Sequence, residues 1–115
     1  MSKEDMLTEI FNTLKTEIEA DQSQAELVND TLLHIKIEGA YRDVERARNY
    51  PSTYSAERIE ADMLRYYSNI QDLARYDYNK LGAEGLSTYR GDGASLLFMD
   101  RNKCFSGVYP ISRLS

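Results

Sequence analysis

Met6, Leu7, Ile10, Phe11, Leu14 and Ile18 recur at three- and four-residue spacing, the period of one face of a helix. Ser2 followed by Asp5 resembles a capping box. The pattern therefore predicts an amphipathic helix over residues 3–20, with Glu9, Lys15, Glu17 and Glu19 on its polar side. Asp21-Gln22-Ser23-Gln24 interrupts it, and Ser23 with Glu26 gives a second capping box that opens a long helix from about Gln24 to Asn49. Within that helix the apolar residues change phase. Val28, Leu32 and Ile35 make one stripe; Leu33, Ile37, Ala40, Tyr41, Val44 and Ala47 make another, and two apolar faces predict two neighbours. Gly39 lies in the pattern at a cost of about 1 kcal/mol relative to alanine, which we read as close packing beside Tyr41.

Tyr50-Pro51-Ser52-Thr53-Tyr54 is the clearest boundary, because the residue before a proline is pushed out of the α region. Ser55 is then an N-cap with Glu57 in the first turn, where negative charge suits the helix dipole. Ile59, Met63, Tyr66, Ile70, Leu73 and Ala74 follow at helical spacing, Tyr78 and Leu81 extend the face, and Gly82 supplies the stop. The second and third helices, joined by a short turn, should form a central αα-hairpin with the first packed against them. Tyr41, Tyr66, Tyr67, Tyr76 and Tyr78 should pack the core with their hydroxyls at its edge.

Helical character ends there. Gly82, Gly85, Gly91 and Gly93 are four of the six glycines in the chain. Ser95 to Met99 is an apolar run too short for a helix and reads as a strand or extended arm. Asp100-Arg101-Asn102-Lys103 has turn composition, and Cys104, Phe105, Val108 and Tyr109 form a second short apolar segment, broken by Gly107 and stopped by Pro110. The fold class that results is mainly α. It is a small bundle of three helices with a glycine-rich loop and an extended or hairpin C-terminal arm, one domain of 115 residues divided into a helical core at 1–81 and a loop and arm at 82–115.

Composition narrows the function. Hydrophobic content of 42% and charged content of 29% are those of a folded chain. No run of 18 or more apolar residues predicts a membrane span, and the MSKEDMLTEIF start is unlike a signal peptide, so the expected site of synthesis is the cytosol. The net charge of −5 opposes sequence-independent binding to phosphates. Residues 1–60 carry 13 acids against 7 bases, whereas residues 61–115 carry 6 against 7.

Cys104 is the single cysteine and His34 the single histidine, which removes intrachain disulfides and most zinc schemes. Gly82 to Gly93 follows a helix and matches neither phosphate-binding glycine motif. Arg90-Gly91-Asp92 spells an adhesion tripeptide, here a coincidence. His34 reads as a packed or exposed structural residue, Cys104 as a small buried hydrophobe, and the carboxylates as solvated helix faces. Neither a catalytic residue, a metal ligand nor a cofactor is expected. On Ala56 to Leu81, Arg58, Arg65, Arg75 and Lys80 are scattered among Glu57, Glu60, Asp62, Asp72 and Asp77, which is no basic recognition face.

The stretch Ile70 to Gly85, IQDLARYDYNKLGAEG, resembles the helix-end signature of the small head–tail connector proteins of tailed bacteriophages, in which a Tyr-Asn element runs into Leu/Ile-Gly-x-Glu-Gly and a Ser/Gly-rich loop. Asp100 to Ile111, DRNKCFSGVYPI, is similar to the family's Gly-Val-x-Pro ending. The helical hairpin through Tyr50-Pro51 is similar too, so the resemblance covers roughly residues 27–113. The chain departs from the family pattern after Ser87, where Arg90-Gly91-Asp92-Gly93-Ala94-Ser95 precedes a more apolar Leu96-Leu97-Phe98-Met99.

The resemblance implies a non-enzymatic virion protein. It forms a homo-oligomeric adaptor ring beneath the portal protein, with the next neck or tail-completion protein below, and lines the channel through which DNA passes without sequence-specific binding. No membrane is involved, and the expected location is the virion neck, after assembly in the bacterial cytoplasm. The assembly residues expected on this basis are Gly82, Glu84, Gly85, Arg90, Gly91, Asp92, Gly93, Leu96, Leu97, Phe98 and Met99. The alternative of another class is a small helical nucleic-acid-binding or regulatory protein.

Overall fold

The computed structural model describes residues 1–20, 29–85 and 100–111, with side chains through Lys80 and again from Arg101. The protein is a mainly α small bundle of three helices. Helix α1 runs Lys3–Ala20, α2 runs Asp30–Arg48, and the third helix is divided into α3, Ala56–Met63, and α4, Tyr67–Gly85, by a 3-10 turn over Leu64–Tyr66.

Each helix start has a local cause. At α1, Ser2 Oγ accepts the Asp5 N–H at 3.1 Å and Asp5 Oδ2 accepts the Ser2 N–H at 3.4 Å, the reciprocal arrangement of a capping box. At α3, Ser55 is extended and its side chain accepts the Arg58 N–H. At α2 the cap is Asn29, extended at φ −117° and ψ 103°, with Oδ1 accepting the Leu32 N–H at 3.0 Å. The expected continuous helix from Gln24 is thereby corrected: an extended Asn29 cannot lie inside it, and the Ser23–Glu26 box falls outside the described residues. Helix α2 ends where Asn49 turns left-handed at φ 55° and ψ 56°, ahead of Pro51.

Spatial order follows from the cross-helix pairs. Lys15 meets Asp30 while Lys3 lies over the Tyr41 ring, so α1 and α2 are antiparallel. The Asn29 N–H donates to Tyr78 Oη and Arg48 pairs with Asp62, so α2 and the third helix form the expected αα-hairpin, α2 sharing its most extensive contact with α4. Lys3–Glu60, Glu9–Tyr67 and Glu17–Arg75 pair at a nearly constant separation. Helix α1 therefore runs parallel to α3 and α4, which continue one another along it despite the 3-10 turn.

The core is the stripe that periodicity predicted. Met6, Ile10 and Leu14 from α1 meet Leu33, Ile37, Ala40, Tyr41 and Val44 from α2, and Met63, Tyr66, Ile70, Leu73 and Ala74 from the third helix. Each large side chain fully withdrawn from water contributes roughly 1.5–3 kcal/mol. Of the two predicted stripes the second is buried, whereas Ile35 of the first is 57% exposed and Val28 of the first lies outside the described residues. Gly39 is also corrected. A Cβ there would meet only Arg42 Nη2, at 3.7 Å, so the residue permits no unusually close approach, and α2 runs through it unbroken. Tyr41, Tyr66 and Tyr76 are buried, and Tyr67 and Tyr78 half-buried with hydroxyls bonded to Glu9 and to the Asn29 N–H.

Two further expectations change at the C-terminal side. Gly82 does not stop the helix, which runs on to Gly85. One glycine costs about 1 kcal/mol in a helix, a penalty the flanking Leu81, Ala83 and Glu84 can offset. The second apolar segment is no strand: Asp100–Phe105 is a 3-10 helix. Ser106 and Val108 donate their N–H groups back to Lys103 O and Phe105 O, and Gly107 takes φ +82°. Residues 100–111 lie against the bundle, as a C-terminal segment too small to be stable alone must. Ser95 to Met99 lies outside the described residues.

Candidate functional site

Of the expected assembly residues, Gly82, Glu84 and Gly85 fall in the last turn of α4. Arg90, Gly91, Asp92, Gly93, Leu96, Leu97, Phe98 and Met99 lie outside the described residues. What the structure does define is the seat on which both ends of that stretch rest. Helix α4 carries the chain to Gly85, and the chain returns at Asp100 along the surface of α4 and α2.

The returning segment is built from the sequence upward as follows. Arg101 reaches two acids on different helices, with Nε 2.9 Å from Asp77 Oδ1, Nη2 3.2 Å from Asp77 Oδ2 and Nη2 2.9 Å from Asp43 Oδ2. The fork geometry of a guanidinium suits this bidentate grip. The hydrogen bonds to Asp77 first, and to Asp43 next, against the cost of burial, raise the Arg101 pKa above its ordinary value. A turn later Asn69 Nδ2 donates to both Cys104 O and Ser106 O at 2.8 Å. Gly107 then supplies the positive φ that turns the chain inward, Val108 enters the core at 8% exposure, and Cys104 and Phe105 pack half-buried beside it. Arg48 Nη1 donates to Tyr109 O at 2.7 Å, and the Ile111 N–H donates to Arg48 O at 2.7 Å. Gly-Val-x-Pro is thus a turn, a core anchor, a hydrogen-bonded carbonyl and an exposed proline that has no N–H to satisfy.

Arg48 belongs to a second cluster. Its Nε lies 2.9 Å from Asp62 Oδ2, which also accepts the Tyr50 hydroxyl at 2.6 Å, while Arg65 Nη1 lies 3.0 Å from Asp62 Oδ1. Burial opposes ionisation of Asp62, but bonds from Tyr50, Arg48 and Arg65 outweigh it and hold the carboxyl below its ordinary value. Burial and the bond to Asp62 push the Tyr50 phenol up. The cluster ties the end of α2 to the end of α3 and, through Arg48, to the C-terminal segment.

Among the described residues, two surface clefts bear on the question of a binding site. One of about 150 Å³ lies between α1, α2 and α4 and is lined by Leu14, Glu17, Ile18, Leu33, Arg75, Tyr78 and Asn79. Its cation, Arg75, is paired with Glu17 at 2.9 Å and Asp72 at 2.8 Å. The other, about 250 Å³, is lined by Lys3, Tyr41, Glu45, Ala56, Ile59 and Glu60. Lys3 Nζ sits 4.5 Å from the centre of the Tyr41 ring at this cleft. Neither lining includes histidine, cysteine or serine. Among the described residues no group of three His, Cys, Asp or Glu could hold a metal, and no helix is long and apolar enough to cross a membrane. His34 is exposed and stacks face to face on Phe11 with centroids 3.9 Å apart.

Sequence reasoning missed Arg101, Asp43, Asp77, Asn69 and the Arg48–Asp62 pair. Asp100 to Lys103 carries a turn signal, and nothing in spacing along the chain says that its arginine reaches two helices. No protein-family model, no curated protein and no solved structure matches the chain.

Proposed function

We propose that this protein is a non-catalytic assembly subunit, the adaptor that forms a ring between the portal and the neck or tail of a tailed phage or prophage. One observation carries the reading: the two stretches that resemble the head–tail connector family, 70–85 and 100–111, lie against each other, joined by Arg101 and Asp77. They make one platform from which the chain between Gly85 and Asp100 departs and to which it returns. Binding residues placed on a stretch with both ends fixed to a rigid scaffold are a common way to present a contact surface.

Charge placement agrees with a channel role. On the third helix Arg65 is paired with Asp62 and Arg75 with Glu17 and Asp72, and from the C-terminal segment Arg101 is paired with Asp43 and Asp77. Cations neutralised in this way release few counterions from a phosphate backbone, so DNA slides past without being gripped. The ring contacts its copies, the portal above and the next neck or tail component below, through Gly82, Glu84, Gly85 and the Arg90 to Met99 stretch.

Electron microscopy of the protein with and without a candidate portal tests this. A ring stacked on the portal is expected, and replacement of Gly85 and Gly93 by valine should abolish stacking while circular dichroism keeps its helical signal. Retention of the protein on duplex DNA at moderate salt, with no portal binding, would place it instead among nucleic-acid-binding proteins.

A further inference from the structure

The C-terminal segment is held by groups at the surface more than by depth of burial. Val108 is its one buried side chain among the described residues, whereas Tyr109 is 70% exposed. Cys104 and Phe105 pack half-buried against the core beside it, and the remaining attachment is polar: Arg101 on Asp77 and Asp43, Asn69 on two carbonyls, and Arg48 on Tyr109 O and the Ile111 N–H. Elements held by few buried apolar contacts and by accessible hydrogen bonds sit at the low end of local stability.

Charge is complementary across this contact. Residues 101–111 carry Arg101 and Lys103 and no acid, and the surface that receives Arg101 presents Asp43 and Asp77. Every receiving group (Asp43, Arg48, Asn69, Asp77) is on α2 or α4, so each copy of the protein offers an identical seat. Residues 86–99 connect α4 to the segment, and a stretch of that length spans at most about 50 Å, several times the 10–12 Å diameter of a helix. An identical seat on each copy and a connector long enough to reach it are the conditions for exchanging an element between protomers.

We propose that residues 101–111 are an exchangeable strap whose partner is a second copy of this chain. In dilute protein the strap closes on its own bundle, because the connector holds it there at an effective concentration of order millimolar. When copies are held side by side, the strap seats on a neighbour with the same contacts, and the neighbour's strap passes to the next copy. The link is head to tail, the kind that closes into a ring when its rotation allows. It goes beyond the proposed function in that it needs no portal, and its test is independent of portal docking.

The experiment uses Cys104, the single cysteine, whose backbone carbonyl accepts from Asn69 Nδ2. Full-length N69C should form an intrachain disulfide under diamide, read as a loss of two hydrogens by mass. The mixture then pairs N69C/C104S as seat with the unmodified chain as strap donor, so that a disulfide between positions 69 and 104, identified by peptide mass, forms only between copies. The share of seats so linked should rise several-hundredfold between micromolar and millimolar protein, from about a thousandth to about a half, as competition with a millimolar effective concentration requires. It should also fall severalfold when the donor carries R101E. An intrachain disulfide with no mixed product at any concentration overturns the proposal, as does a mixed product indifferent to R101E, which is collision between thiols. Failure of the intrachain disulfide overturns it as well, by removing the seat on which it stands.

Discussion

Asp62 is the residue at which most of the polar structure converges. It accepts from Arg48, Tyr50 and Arg65, and its side chain is 15% exposed, with that of Arg48 at 13%. At that degree of burial, losing one member leaves the other partly desolvated and uncompensated, so D62N should lower stability by about 2 kcal/mol, read as a shift of the urea midpoint. Its folded-state pKa is depressed below the ordinary 3.8. The contribution is therefore complete above that value and is lost as pH falls below it through the folded pKa. Acid titration of stability should be shallower in D62N over that window. Tyr41 has the opposite sign. Burial first, then Glu45 and Glu60, push its phenol from 10.0 up to about 12. The neutral ring is favoured in the fold, and the associated stability is complete below pH 10 and lost as pH rises from 10 through about 12. Alkaline unfolding followed by far-ultraviolet circular dichroism should move to higher pH in Y41F. At Gly107, with φ +82° and open space around a hypothetical Cβ, only backbone strain opposes substitution. G107V should destabilise the seating of 100–111 by about 1–3 kcal/mol, seen as faster amide exchange in that segment.

At the scale of elements, the helix starts at Ser2 and Ser55 were legible because a capping side chain acts within three residues of itself. The start of α2 at Asn29 was not read because a box-like pattern at Ser23 and Glu26 stands upstream of it in the sequence. N29A should cost about 1 kcal/mol through loss of the bond to the Leu32 N–H. Gly39 offers the converse case: it is helical, unbroken and uncrowded. G39A should therefore stabilise the protein by roughly 0.5–1 kcal/mol, measured as a higher urea midpoint with an unchanged slope. Past Gly82, local propensity gave the wrong stop because a glycine is a weak obstacle when the residues around it favour helix. The 3-10 turn at Leu64–Tyr66 carried no advance signal. Tyr66 within it is buried beneath Arg48 and Arg65, whose guanidinium carbons lie 5.1 and 5.7 Å from the ring centre.

For the whole molecule, the decisive feature is that the chain beyond α4 returns to the bundle. R101E places a third acid beside Asp43 and Asp77 and should free residues 100–111 without unfolding the helices, raising their proteolytic cleavage severalfold while helical circular dichroism stays constant. The amino-acid sequence by itself determined the helical class, the three helices, the hairpin through Pro51 and nearly every core residue. Those depend on period, capping and proline geometry, all of which act over a few neighbouring positions. Tertiary structure alone decided which of the two stripes on α2 is buried, since a stripe becomes core only when another helix covers it. It alone decided that Asp43, Asp77 and Arg101 meet. A guanidinium more than twenty residues from one carboxylate and nearly sixty from the other leaves no periodic trace, because the geometry of the packed helices, and not the spacing along the chain, brings those charges within hydrogen-bond reach.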